Sequence, residues 1–215
     1  MTELSTTSLP EGLRERKKRR TREAIVAAAR ELFAQRGFDA VTVAEIARAA
    51  DVTEKTVFNH FPAKEDLVLE HGRERTAALI ERLRGRPAGT PIVAVFRRNT
   101  EAFIEHVEHG DPDELTFGPR LIMGSRSLRD GLLLNWEREA ELLAPAIAEQ
   151  AAAPPGDVVP LVVARTLAGT HRMIVRAGFE RLLGGEKGAR IAPDLREQAR
   201  RAYDLLEAGL ADYGA

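Results

Sequence analysis

Apolar residues return at helical spacing along most of the chain. Ile25, Ala28, Ala29, Leu32 and Phe33 share one face, and Gly37 follows as a stop signal, so the pattern predicts a first helix ending there. Thr42, with Glu45 three residues on, forms a capping-box pattern ahead of Val43, Ile46, Ala47 and Ala50, a helix of two turns at most. Thr53 caps a third helix. Val57 and Phe61 lie on one of its faces, with Val52 before them, while Lys55 and Asn59 lie on the other beside Thr56 and Phe58, until Pro62 stops it. Only Asp51 and Val52 separate the second helix from the third. So brief a connection describes a helix-turn-helix, with Asp51 in the left-handed place that Gly often takes. "AKEDLVLE" opens a fourth, amphipathic helix running to about Arg84, where "GRPAGTP" breaks it. Five longer helical patterns follow: Ile92 to Val107, Asp113 to Met123, Leu128 to Ala152, Val158 to Leu183 and Pro193 to Asp212. Pro145 falls inside one of them and is expected to kink or end it. The fold class expected is all-α, a three-helix helix-turn-helix domain followed by a larger helical domain.

Composition agrees with that class and narrows the chemistry. Aromatics make up only 5% of the 215 residues, while Ala, Leu, Glu and Arg, which lose little entropy in a helix, abound. The absence of cysteine excludes disulfides, thiolate zinc sites and iron–sulfur clusters, and fits a reducing cytoplasm. No stretch approaches the roughly 18 apolar residues of a membrane span. The expectation is a soluble cytoplasmic protein with no cofactor. The net charge of −1 hides a crowded basic run, Arg14, Arg16, Lys17, Lys18, Arg19, Arg20 and Arg22, opposed there only by Glu15. By itself this run reads either as a solvated tail or as an arm reaching for phosphates. Enzyme readings find little support. His106 and His109 with Glu105 and Glu108 form no HExxH pattern, "GGEKG" lacks phosphate-loop spacing, and no Gly-x-Ser-x-Gly elbow occurs.

From Thr21 to Val68 the chain reads "TREAIVAAARELFAQRGFDAVTVAEIARAADVTEKTVFNHFPAKEDLV". This segment resembles the N-terminal DNA-binding domain of the TetR family of bacterial regulators, in the order and spacing of "FAQRGFDAVTV", the capped second helix, "TVFNHF" and "KEDL". The resemblance implies a basic arm over residues 1–20, a DNA-binding domain over 21–68, and a helical ligand-binding and dimerisation domain over 69–215. It also implies roles for single residues. Thr42 and Thr53 would meet phosphates at helix starts, Lys55, Thr56 and Asn59 would enter the major groove, and His60 and Phe58 would pack near the DNA backbone. Lys64 would contact phosphate, and Arg19 and Arg20 would belong to an electrostatic clamp. Many members carry Tyr where this chain has Phe58, so that residue is expected to make an apolar contact only.

Partners implied by the resemblance are a double-stranded DNA operator, a small-molecule effector and a second copy of the chain. The dimer would form through the last two helices, with Leu161, Ala164, Leu167 and Ala168 on one and Leu195, Ala199, Ala202, Leu206 and Leu210 on the other; intramolecular core is the competing reading of these stripes. Candidate effector contacts are Phe103, Phe117, Met123, Trp136, Met173 and Phe179, with Arg120, His106 and His171 as polar members. Trp136, on the otherwise polar run "NWERE", is the best single candidate. No cluster of carboxylates or arginines marks a polar site in the sequence, so a mainly apolar effector is expected, acyl compounds among them, with Arg120 and Arg126 available to phosphates. The implied activity is a ligand-responsive regulator, and a repressor in particular.

Overall fold

The computed structural model describes residues 12–210. Among the described residues there are nine α-helices and no strand, and the chain divides into two compact units between Leu67 and Val68.

The first unit holds α1 (Leu13–Arg36), α2 (Val43–Ala49) and α3 (Glu54–His60). Ile25, Ala29 and Phe33 of α1, Phe38 and Val41 of the connection, Ile46 and Ala47 of α2, and Val57 and Phe61 form its buried core. Phe33 and Phe38 pack as tilted rings 5.1 Å apart. The punctuation acts as its chemistry requires. Gly37 takes φ 75° at the end of α1, and Asp51 takes φ 53° in the turn between α2 and α3. One boundary differs from the expectation of an arm over residues 1–20. α1 begins at Leu13, so Arg14 to Arg20 form its first turns, because Arg, Lys and Glu are good helix formers and no breaker stands after Gly12. The rest of the expected arm, residues 1–11, lies outside the described residues.

The second unit contains the rest of α4 (Asp66–Arg84), with α5 (Ile92–His109), α6 (Pro112–Gly124), α7 (Arg126–Gln150), α8 (Val159–Leu183) and α9 (Gly188–Leu210). α5 packs along both α9 and α8, and α7 along α8, around Phe96, Ile104, Leu143, Ile147, Leu167, Leu195 and Tyr203. Truncating one such aliphatic residue to Ala costs about 2–5 kcal/mol. Ion pairs bind α5 to α9 outside this core. Arg97 reaches Asp204 at 2.9 Å and Glu207 at 2.6 Å, and Arg196 reaches Glu101 at 2.7 Å as well as Glu108.

Three expectations change here. α7 continues through Pro145, so the proline does not end it, and buried Leu143, Ala146 and Ile147 hold the helix on either side. α9 starts at Gly188 rather than Pro193, because Ile191 and Ala192 are core residues that fix the extra turn. Gly188 allows that turn to lie against α5, since a β-carbon there would overlap the Val107 carbonyl. Finally, Ala164, Leu167, Ala168, Leu195 and Ala199 are buried within the chain, so most of the stripe assigned to a dimer interface is core of the single chain.

Candidate nucleic-acid interface and effector site

The helix-turn-helix is built so that most of its polar groups answer one another. Thr42 donates both its backbone N–H and its hydroxyl to the Glu45 carboxylate at 2.8 Å, and the Glu45 N–H donates back to the Thr42 hydroxyl at 3.3 Å. Arg36 of α1 donates to the same carboxylate at 2.9 Å. These bonds, that of Arg36 foremost, hold the Glu45 carboxyl down at about 2. At α3 the Thr53 hydroxyl accepts from the Thr56 N–H at 3.1 Å, and the two threonine hydroxyls lie 2.8 Å apart. The hydroxyls of Thr42, Thr53 and Thr56 are therefore engaged in caps.

Lys64 precedes α4, and its ammonium donates to the carbonyls of Phe38 and Val41 at 3.0 and 2.9 Å while lying 4.1 Å from the Phe38 ring centroid. It ties the α1–α2 connection to the start of α4. Two of its three donors are thus spent inside the fold, and one is left for the expected phosphate contact.

What remains unspent lies on α3. Val57 and Phe61 are buried, Lys55 and Asn59 are exposed, and Phe58 is 47% exposed. Among the described residues no hydrogen bond or ion pair holds Lys55 or Asn59. His60 is half-buried, its ring 6.4 Å from that of Phe61. Arg19 and Arg20 are exposed on the first turns of α1, Arg19 facing Glu23 at 3.7 Å. Cations at a helix N-terminus oppose the helix dipole, so folding alone gives no reason to place them there.

In the second unit, polar residues of five helices converge. Arg82 of α4 donates to the Asn99 side-chain carbonyl at 3.0 Å, which orients the Asn99 amide so that its NH2 faces His171 Nε2 at 3.3 Å. The Nε2 atom thus accepts, and the proton of neutral His171 sits on Nδ1, 2.8 Å from the Thr100 hydroxyl. Thr100 in turn lies 2.7 Å from the hydroxyl of buried Tyr203. Beside this chain Arg172 donates to Glu139 at 3.0 Å, and its guanidinium lies 5.5 Å from the Trp136 ring centroid. Burial, aided by Arg75, Arg172 and Arg82, pulls the His171 imidazolium down to about 4, while burial pushes the Glu139 carboxyl up against the pull of Arg172 and Arg75.

The family model described as "Bacterial regulatory proteins, tetR family" matches residues 25–71. The chain is 30% identical over 185 residues, covering 82% of each protein, to the HTH-type transcriptional regulator TcmR of Streptomyces glaucescens. It belongs to the TetR family. Among solved structures, the regulator shares its fold with NalD of Pseudomonas aeruginosa, described as the secondary repressor of the MexAB-OprM multidrug efflux pump, at TM-score 0.56 and 22% identity over 86% of this chain and 97% of that one. A SmeT–triclosan complex aligns at TM-score 0.52 and 19% identity, over 88% of this chain and 90% of the other. TetR-family proteins are DNA-binding regulators rather than enzymes. Among the described residues no three His, Cys, Asp or Glu side chains gather as metal ligands, and no helix is long and apolar enough to cross a membrane.

The expected effector contacts of this TetR-family chain divide. Phe103, Trp136 and His171 belong to the convergent region, with Phe103 edge-on to His171 at 6.3 Å and to Phe179 at 5.4 Å. Phe117 is half-buried on α6. Met123, also on α6, is 64% exposed, Arg120 is exposed with Asp113 at 3.9 Å, and His106 and Met173 are exposed. Sequence reasoning missed Asn99, Thr100, Glu139, Arg172 and Tyr203, whose bonds tie this region together. These groups come from segments far apart in the chain.

Proposed function

We propose that this regulator binds a palindromic operator as a two-fold dimer, represses by occupying it, and is released by a small organic effector held among α4, α5, α7 and α8. The observation that carries the DNA-binding half is the outer face of α3. Lys55 and Asn59 have no work in the fold, and they are among the side chains that read guanine and adenine edges in a major groove. Phe58 adds an apolar contact, and Arg19, Arg20 and the orphan amides at the starts of α2 and α3 supply phosphate contacts. Among fold relatives, NalD is a described repressor and SmeT is solved with triclosan, which fits the reading.

Dimerisation is assigned to the apolar positions that the fold leaves uncovered. Val158, Val159 and Val162 at the start of α8 and Leu205 on α9 are exposed, and an open groove of about 210 Å³ lined by Val162, Val163, Thr166, Leu205, Leu206 and Gly209 runs beside them. The side chain of Leu210 is not among those described. Two recognition helices spaced one DNA turn, roughly 34–36 Å, require such a two-fold pair. The effector acts by binding a dimer whose spacing no longer fits the operator better than one whose spacing does, since equal affinity would shift nothing. Selection from a randomised duplex library, followed by a salt titration, tests the reading. Enrichment of a palindrome with half-sites one turn apart, and affinity falling steeply with salt, is expected; no enrichment with or without cell extract overturns it.

A further inference from the structure

The first unit contains the phenylalanines Phe33, Phe38, Phe58 and Phe61, and all but Phe58 are buried with ring partners. Phe33 and Phe38 pack together at 5.1 Å, the Lys64 ammonium lies over Phe38, and the Arg22 guanidinium lies 5.0 Å from the centre of the Phe61 ring, with the His60 ring also nearby. Phe58 is 47% exposed in the second turn of α3, and among the described residues no ring or cation contact holds it. Apart from Leu13 at the start of α1, it is the only large apolar side chain that the described residues of this unit leave exposed. A ring kept in water forgoes the free energy that burial would supply, so the fold itself gives no reason for a phenylalanine at this place.

The neighbours of Phe58 define what it faces. Lys55 lies three residues before it and Asn59 directly after it, both exposed, while Val57 and Phe61 turn the opposite side of the helix into the core. The hydroxyls of Thr53 and Thr56 are engaged with each other in the cap. Cation, ring and amide therefore form one patch on the side of α3 assigned above to base edges. A phenyl ring has no group to give a phosphate oxygen, and set against a polar base edge it would strip that edge of water without replacing the bond. The major groove offers one apolar group, the 5-methyl of thymine, and an aromatic ring is a suitable cover for it.

Resting on the DNA-reading assignment above, we propose that Phe58 determines specificity: its ring takes the 5-methyl group of one thymine in each half-site. The position of that thymine follows from the helix. Successive residues rise about 1.5 Å along α3 and successive base pairs about 3.4 Å along the duplex, so the thymine lies within one base pair of the base read by Asn59.

The test removes the methyl group and nothing else. In the duplex selected by the full-length wild type, each thymine of the half-site is exchanged in turn for deoxyuridine, in both half-sites together, and affinity is measured at fixed salt. At one thymine, within one base pair of the position whose preference Asn59→Ala loses, the exchange should weaken wild-type binding about fourfold for each half-site, the worth of one buried methyl. Phe58→Ala should bind the thymine and uracil duplexes equally, to within about 1.5-fold, because a double-mutant cycle assigns the loss to the pair of groups removed. Phe58→Tyr keeps the ring and should keep the discrimination. The wild-type series stands by itself should the alanine variant fail to fold. Equal binding of every uracil duplex, a half-site with no thymine in that position, or discrimination that survives in Phe58→Ala overturns the proposal. In those cases a palindrome has still been selected, so the regulator reading stands and only the role of Phe58 fails; selection of no duplex at all overturns both.

Discussion

The two units treat their polar groups in opposite ways. In the helix-turn-helix, Thr42, Glu45 and Arg36 satisfy one another, Thr53 and Thr56 close the next cap, and Lys64 ties down two carbonyls, so the side chains left over, Lys55 and Asn59, are exposed. In the helical unit the polar groups of His171 and Glu139 lie where burial has already perturbed them. Exposed polar groups without partners cost nothing until DNA arrives, whereas a desolvated one destabilises the empty protein. The first arrangement suits a stable reader, and the second suits a site whose occupant changes which conformation is preferred.

Acid should separate the two units most strongly. The native pKa of His171, about 4, lies below its ordinary 6.5, so between those values the unfolded chain takes up a proton that the native one does not. Its contribution is complete above about pH 6.5 and is lost as pH falls towards 4, with an upper bound of about 3 kcal/mol. The raised pKa of Glu139 has the opposite sign and softens the lower end of that slope. The Glu45 carboxylate, held at about 2, loses its contribution only as pH falls from the ordinary 4.5 through 2. Urea unfolding followed by Trp136 fluorescence should therefore show stability falling between neutrality and about pH 5, and His171→Gln should flatten that slope. An unchanged slope would mean that the imidazole is hydrated.

Lys64→Met should come next in size. It leaves the Phe38 and Val41 carbonyls without their charged donor and should destabilise the helix-turn-helix by about 1.5–3 kcal/mol, measured by urea unfolding followed by hydrogen exchange of α2 and α3. A purely phosphate-binding Lys64 would instead leave stability untouched and lower the salt slope of DNA binding. Thr42→Ala should cost about 1 kcal/mol through loss of the cap, with the same readout.

Much of the first unit was legible because its signals are local. A capping box spans four residues, and Asp51 or Gly37 announces a left-handed turn through its own side chain or the lack of one. The start of α1 is harder to read, because a run of Arg and Lys is compatible both with a solvated arm and with the first turns of a helix, and here it forms the helix. The second unit hid its chemistry for a different reason. His171 lies in "GTHRM", where nothing local marks it, and only the meeting of α5 and α8 gives it Asn99 and Thr100 as partners. The dimer stripe failed likewise. Leu167 and Leu195 have the spacing of an interface, but α5 and α7 cover them, and the exposed apolar residues are Val162 and Leu205.

The smallest effect on stability belongs to Asn59→Ala, whose consequence should fall on base recognition alone. Asn59 is exposed and unbonded, so the variant should fold as the wild type does, to within about 0.5 kcal/mol. The measurement is the base-preference profile of wild type and Asn59→Ala, selected side by side from the same randomised duplexes. The account predicts that the variant keeps the palindrome and its spacing but loses preference at one base pair in each half-site, a discrimination of about 1–3 kcal/mol. A profile identical to the wild type would contradict the assignment of the outer face of α3 as the surface that reads DNA.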